Sequence, residues 1–173
     1  MDELLDGLSE YDAAVRSFLE CQIAECLLNI DLTKKTVVLM SNGNTGKTKL
    51  LDLLRDMSGP LGRILPGNRE FFLGARKNNV NDVKIMRHKT RLLCEELGSK
   101  KSPINADVYK LISGGFSMSA ESNKFNDAIK VIPKVIITCN SPQFTQFGDA
   151  EKRRTIFFNS RYAFVQNPDP DSP

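Results

Sequence analysis

The sequence predicts an α/β fold in which a parallel sheet is covered by helices on both faces. Three observations lead there. Short apolar runs recur along the chain: TVVLM (36–40), which is β-branched, TRLLCEEL (90–97), KVIITCN (134–140) and RRTIFF (153–158). Each suits a strand buried on both sides. Segments of helical period separate them, the order expected when parallel strands are joined by crossovers. At residues 37–54 a strand-like run, a glycine-containing loop and a helical segment follow without a break, VVLMSNGNTGKTKLLDLL.

Composition sets the outer bounds. With 173 residues, 40% apolar and 26% charged, the chain suits one globular domain with a real core. No apolar run approaches the ~20 residues needed to span a bilayer. No basic segment followed by an apolar stretch opens the chain, so an intracellular, non-secreted protein with no membrane partner is expected. Cys21, Cys26, Cys94 and Cys139 are scattered, which reads as free buried thiols rather than a disulfide or metal framework. The single histidine, His88, argues against a histidine-based metal site or nucleophilic triad. Residues 1–35 carry eight acids against three bases; that −5 leaves +8 for the remainder of a chain whose net charge is +3. A basic body beneath an acidic N-terminal segment suits a polyanionic partner.

Taken in order, Leu4, Leu5, Leu8, Val15, Phe18, Leu19, Ile23 and Leu27 fall at helical spacing, predicting one or two amphipathic helices over residues 3–29. TVVLM is the first strand, and GKTKLLDLLRDM (46–57) returns to helical period until Gly59 and Pro60 stop it. FFL (71–73) reads as a strand and RKNNVNDVK (76–84) as a loop or short helix. TRLLCEEL is a buried strand ending in two acids. NADVYKLIS (105–113) is a short helix with Asn105 as its N-cap. Residues 114–133 alternate around a polar centre, as a hairpin does. KVIITCN and RRTIFF are the last strands, and QNPDPDSP (166–173) reads as a disordered tail.

Four stretches carry chemistry. Ser41, Asn42, Gly43, Asn44, Thr45, Gly46, Lys47 and Thr48 fit the phosphate-binding loop GxxxxGK[ST] except at its first position, where serine replaces glycine. In such a loop backbone amides close around phosphate oxygens, the lysine reaches the β- and γ-phosphates and the hydroxyl holds Mg²⁺. The helix behind adds the positive end of its dipole. Serine is admissible at Ser41 if its φ is negative. Hydrolysis further needs a carboxylate for the metal and another for the attacking water; Glu95 is assigned to Mg²⁺, with Thr48, and Glu96 to the water. Asn140, ending the KVIITCN strand, can sense the γ-phosphate. Arg153 and Arg154 open the last apolar run, where a guanidinium could stabilise phosphoryl-transfer charge in a neighbouring subunit.

In this order the four elements resemble the superfamily 3 helicases of DNA viruses and plasmids, the poxvirus- and phage-type primase-helicases best of all. The likeness covers residues 36–160 and is densest in NADVYKLISGG, SAESNKF…IPKVIITCNSPQF and DAEKRRTIFF. It implies a P-loop NTPase (AAA+-like) three-layer parallel sheet of strand order 5-1-4-3-2 with a DNA-contacting β-hairpin. Residues 1–35 then form an N-terminal helical segment, 36–160 the ATPase domain and 161–173 a tail. The resemblance also implies ATP and Mg²⁺ as cofactors, a homo-oligomeric ring, usually a hexamer, and single-stranded DNA as partner. Arg154 becomes the finger that completes the neighbour's site. Asn123 and Lys124 take the hairpin tip that grips DNA, with Lys130 and Lys134 flanking it. Larger members carry a primase or origin-binding domain, a possible partner. The expected activity is that of an ATP-dependent DNA helicase motor. The alternatives are a catalytically silent nucleic-acid-binding or assembly module of the same fold, and a P-loop kinase.

Overall fold

The computed structural model describes residues 1–28, 35–59, 91–114, 116–119, 128–131 and 134–164. Helices α1 (Asp2–Leu8) and α2 (Ala13–Leu28) precede β1 (Thr36–Met40) and α3 (Lys47–Ser58). There follow β2 (Arg91–Cys94), α4 (Ala106–Ser113), β3 (Phe116–Ser119), β4 (Ala128–Val131), β5 (Lys134–Cys139), α5 (Asp149–Arg153) and β6 (Thr155–Asn159). Among the described residues no helix is long and apolar enough to cross a membrane.

Strands β2, β5, β1 and β6 lie side by side in that order, all parallel. The described sheet thus differs from the five-stranded order 5-1-4-3-2: it has four strands, and FFL and RKNNVNDVK lie outside the described residues. Alternation along the strands sorts the core into two layers. Val37 and Leu39 of β1, Leu93 of β2 and Ile136 of β5 face α1, α2 and α3, packing with Leu5, Leu19, Leu50, Leu51 and Leu54. Val38, Cys94, Val135, Ile137 and Cys139 face α4, packing with Ile104, Tyr109 and Ile112. The parallel register Val37↔Ile136 and Leu93↔Ile136 puts partners on one face, so each layer is continuous across the sheet. The result is three layers, helix on sheet on helix.

Local chemistry fixes the helix ends. Asp12 Oδ1 accepts the N–H groups of Ala14 and Val15 at 2.8 and 3.0 Å and starts α2. Asn105 does the same for α4, accepting from Asp107 and Val108 at 3.0 and 3.1 Å, as its sequence position predicts. Arg16 of α2 reaches Asp2 and Asp6 of α1 and Glu20 of its own helix, holding the two N-terminal helices together. Tyr109 is buried and its hydroxyl pairs with Thr155 Oγ1 at 2.6 Å, tying α4 to the start of β6.

Several expectations are corrected. RRTIFF is not one strand: Arg153 ends α5, Arg154 caps it, and β6 begins at Thr155. The α5 turn DAEKR is too short to show a helical period in the sequence; Glu151 organises it by accepting the Gly148 N–H at 2.9 Å. Cys26, Cys94 and Cys139 are buried free thiols, but Cys21 is exposed. Residues 114–133 do contain a hairpin, β3 pairing antiparallel with β4 in a sheet of its own, but its tip, with Asn123 and Lys124, lies outside the described residues.

Lys134 is the largest surprise. Read as a basic residue beside the hairpin, it is buried, and its Nζ contacts Glu25 Oε2 at 2.6 Å and Gln22 Oε1 at 2.8 Å. The pair joins α2 to the first residue of β5, three residues beyond the end of β4. A buried ammonium stripped of its carboxylate is costly. Glu25→Ala should therefore lower the unfolding free energy by on the order of 3–5 kcal/mol, whereas Glu25→Leu with Lys134→Met should lose far less. Urea unfolding of both variants distinguishes a satisfied ion pair from mere side-chain packing, which would make the double variant the worse.

Candidate phosphate-binding cleft

The loop of residues 41–46 joins the C-terminal end of β1 to the N-terminus of α3. Three of its residues have left-handed backbone: Gly43 (φ 122°), Asn44 (φ 52°) and Gly46 (φ 80°). Asparagine tolerates that region and glycine has no Cβ to oppose it. Ser41 is not among the described positive-φ residues, so serine fits where the motif has glycine. Gly46 is doubly constrained, because a Cβ there would collide with Leu4 Cδ1 and lie 3.3 Å from Phe164 Cε2. Both neighbours come from outside the loop, Leu4 from α1 and Phe164 from the segment after β6.

Ser41 does more than fit. Its buried Oγ lies 2.6 Å from Thr45 Oγ1 and 3.4 Å from the Gly43 N–H, lacing the two limbs of the loop. Lys47, also buried, donates its Nζ to the Ser41 carbonyl at 3.1 Å and to Ser41 Oγ. Burial pushes the Lys47 ammonium below the ordinary lysine range, with Cys139 and Glu96 acting in the opposite direction. A half-dehydrated cation held by neutral oxygens favours an anion. Burial also pushes the Cys139 thiol up to about 11, so it stays a neutral wall.

A cleft of about 700 Å³ opens over the loop, within the range of small-molecule sites. Gly43–Lys49 form its floor. On the β5 side stand Glu96, Thr138, Cys139 and Asn140; Met1, Glu3, Leu4 and Phe164 complete the described lining. Since β1 lies between β5 and β6, Asn140 and Phe164 flank the loop from opposite sides. The segment after β2 is pinned by the Leu97 N–H, which donates to Thr138 O at 3.3 Å, and Glu96 takes a left-handed φ of 47°. The structure thus brings Lys47, Thr48, Glu96 and Asn140 together. Glu95 is half-buried and not among the described lining residues. Asn42 lines an adjoining hollow with Asn159 and Arg161, which shares Gly43, Asn44 and Thr45 with the cleft.

Arg154 is half-buried and Arg153 exposed. The Arg154 carbonyl accepts the Thr36 N–H at 2.8 Å, which places it at the start of β1. The loop leaves the other end of that strand, ~13 Å away at about 3.3 Å per residue. Sequence reasoning missed Leu4 and Phe164, for helical period marks Leu4 only as core and nothing local marks Phe164. Among the described residues no group of three or more His, Cys, Asp or Glu could hold a metal. Mg²⁺ needs no such cage: it keeps most of its waters and takes one or two protein oxygens beside a phosphate, which Thr48 and a nearby carboxylate fit.

No protein-family model and no curated protein matches the sequence. Solved structures do match in fold. The A form apo structure of the NrS-1 C-terminal region aligns with a TM-score of 0.65 at 16% identity, over 96% of this chain and 38% of that one. Another apo structure of the same region gives 0.60 at 16% identity, over 92% and 37%. The JCV helicase gives 0.49 at 17% identity, over 91% and 44%, an overlap too loose to define a fold. The chain thus has the fold of part of the NrS-1 C-terminal region and spans well under half of its length.

Gly46→Ala places a Cβ against Leu4 at a left-handed φ, and should cost about 1–3 kcal/mol of stability. Adding Leu4→Ala should return part of that loss through a coupling of at least ~0.5 kcal/mol. A double-mutant cycle in urea checks it; strict additivity would show that backbone strain alone sets the cost.

Proposed function

We propose that this chain is the motor domain of an ATP-dependent DNA helicase of the superfamily 3 kind, working in a homo-oligomeric ring, hexameric in the resembling family. One observation carries the proposal: the loop that holds Lys47 shares a single cleft with Glu96 and Asn140, which follow two further strands of the same sheet. Phosphoryl transfer asks mainly for positioning and charge stabilisation, which a lysine, a carboxylate and an amide converging on a phosphate loop can supply. The likeness to the NrS-1 C-terminal region supports the fold only.

In this proposal Lys47 exchanges Ser41 for the β- and γ-phosphates of ATP. Mg²⁺, when bound, neutralises charge on those phosphates. Thr48, and Glu95 from just outside the described lining, would hold its shell. Glu96 takes a proton from the attacking water, and Asn140 hydrogen-bonds the γ-phosphate. Arg154 lies at the far end of β1 from its own loop and therefore serves the site of a neighbouring subunit. The β3–β4 hairpin carries Asn123 and Lys124 towards single-stranded DNA, where several lysines around a ring make a basic track.

The test is ATP hydrolysis over a protein concentration series, with and without single-stranded DNA. Turnover should rise with both. Lys47→Ala and Arg154→Ala should each lose about 10³-fold. Mixed in equal amounts they should recover about a quarter of wild-type turnover, because a quarter of randomly formed interfaces join an intact loop to an intact arginine. Turnover that stays flat with concentration, or no recovery on mixing while both variants still assemble, would sink the shared-site mechanism.

Ser41 gives an independent check. Its hydroxyl is the partner that Lys47 surrenders, and a hydrogen bond to a charged group nets about 1.5 kcal/mol. Ser41→Gly should therefore tighten nucleotide binding by up to about tenfold, measured by calorimetry. Weaker binding would mean that the lacing to Thr45 organises the loop more than it obstructs it.

A further inference from the structure

The cleft extends beyond the loop, and on its β6 side Leu4 and Phe164 form an apolar wall. If Lys47 takes the β- and γ-phosphates and the terminal one faces Glu96 and Asn140, the nucleoside end must leave towards Leu4 and Phe164. Phe164 is built to be a fixed surface there. Its N–H donates to Asn44 O at 2.7 Å. Its ring is wedged between two glycines, with Cζ 2.8 Å from where a Cβ on Gly7 would stand and Cε2 3.3 Å from the same point on Gly46. Only residues without side chains leave it that room. Ser160 Oγ donates to the Gly7 carbonyl at 3.1 Å and the Arg161 N–H to Glu10 Oε1 at 2.8 Å, fastening the approach to Phe164 along α1. Yet Phe164 remains 47% exposed, in a cleft, beside Leu4.

A large aromatic side chain held rigid and left open offers a face to a planar ligand. We propose that Leu4 and Phe164 form the nucleobase subsite of this cleft, a stacking site that grips the base by its face and reads little of its edge. It rests on the nucleotide-binding function proposed above and adds what the site selects. Besides Met1 and Asn44, whose backbone carbonyl is taken by the Phe164 N–H, this side offers Glu3, and an ionised carboxylate only accepts. Every base has a π-face, so stacking is tolerant of base identity. Purine and pyrimidine ribonucleoside triphosphates therefore bind alike.

The rival is that Phe164 is only a peg joining α1 to the loop. Calorimetry on the full chain with Mg²⁺ separates the two, using ATP, GTP, CTP and inorganic tripolyphosphate as probes. The expected result is that the three nucleotides agree within about fivefold and bind about tenfold more tightly than tripolyphosphate. Phe164→Leu, which keeps an apolar peg but removes the stacking face, should weaken the nucleotides about tenfold and leave tripolyphosphate unchanged. A Phe164→Leu loss equal for nucleotides and tripolyphosphate establishes the peg and overturns the subsite. So does a nucleotide affinity no better than that of tripolyphosphate. A hundredfold preference for one base overturns the claim of face recognition. If tripolyphosphate binds and Lys47→Ala abolishes it, the phosphate site stands whatever Phe164 does. If no probe binds, the phosphate site and the base subsite fall together.

Discussion

The left-handed backbone at Gly46 is the constraint on which the rest of the site depends. It turns the chain from the loop into α3 so that Lys47 begins the helix, with its side chain folded back to Ser41. The missing Cβ at the same residue is what lets Leu4 and Phe164 close on the loop. One atom's absence thus serves two unrelated ends, a dihedral angle and a packing contact. That double demand joins the N-terminal helix, the loop of residues 41–46 and the segment after β6 into one unit, although they are far apart in sequence.

Charge is handled differently in the layers around that unit. Lys134 is buried with a carboxylate at 2.6 Å, an arrangement complete within the chain. Lys47 is buried with neutral serine oxygens as its hydrogen-bond partners. Both lysines leave water, but only the first is given a hydrogen-bonding counter-charge by the fold. The second is left with an electrostatic demand that a bound anion would meet, and burial lowers its pKa for the same reason. The Lys134 pair, at the foot of β5, anchors α2 to the strand whose other end carries Asn140.

Features with a short-range physical cause were legible in the sequence. TVVLM and KVIITCN read as strands because β-branched residues buried on both faces leave a continuous apolar run. The loop read as a loop because Gly43, Asn44 and Gly46 supply the only backbone that can make it. Asn105 read as a cap because its oxygen reaches N–H groups two and three residues on. What escaped depends on packing between distant segments. Lys134 reads as a basic residue flanking the hairpin, since nothing near it in sequence announces Glu25, 109 residues away. Phe164 sits beside a tail rich in proline and acid, and only the glycines at positions 7 and 46 give its ring a place. The break between Arg153 and Thr155 was invisible because one turn of helix is shorter than the period that reveals it.

Strand order then sorts the chemistry. Because β1 is central, everything that follows β5 and β2 reaches the cleft from one side, and everything after β6 from the other. Glu96 and Asn140 arrive on the first side, polar and able to handle a proton or a terminal phosphate. Phe164 arrives on the second, apolar and fixed. Arg154 is excluded from both. Parallel strands put all their C-terminal ends along one edge of the sheet, and Arg154 stands at the N-terminal end of β6, level with Thr36. No rotamer carries its guanidinium across the length of β1 to its own loop. A guanidinium so placed can act on a phosphate only where another copy of the chain brings its loop to that edge. In a single chain, then, the topology that builds the candidate cleft also keeps the arginine out of it.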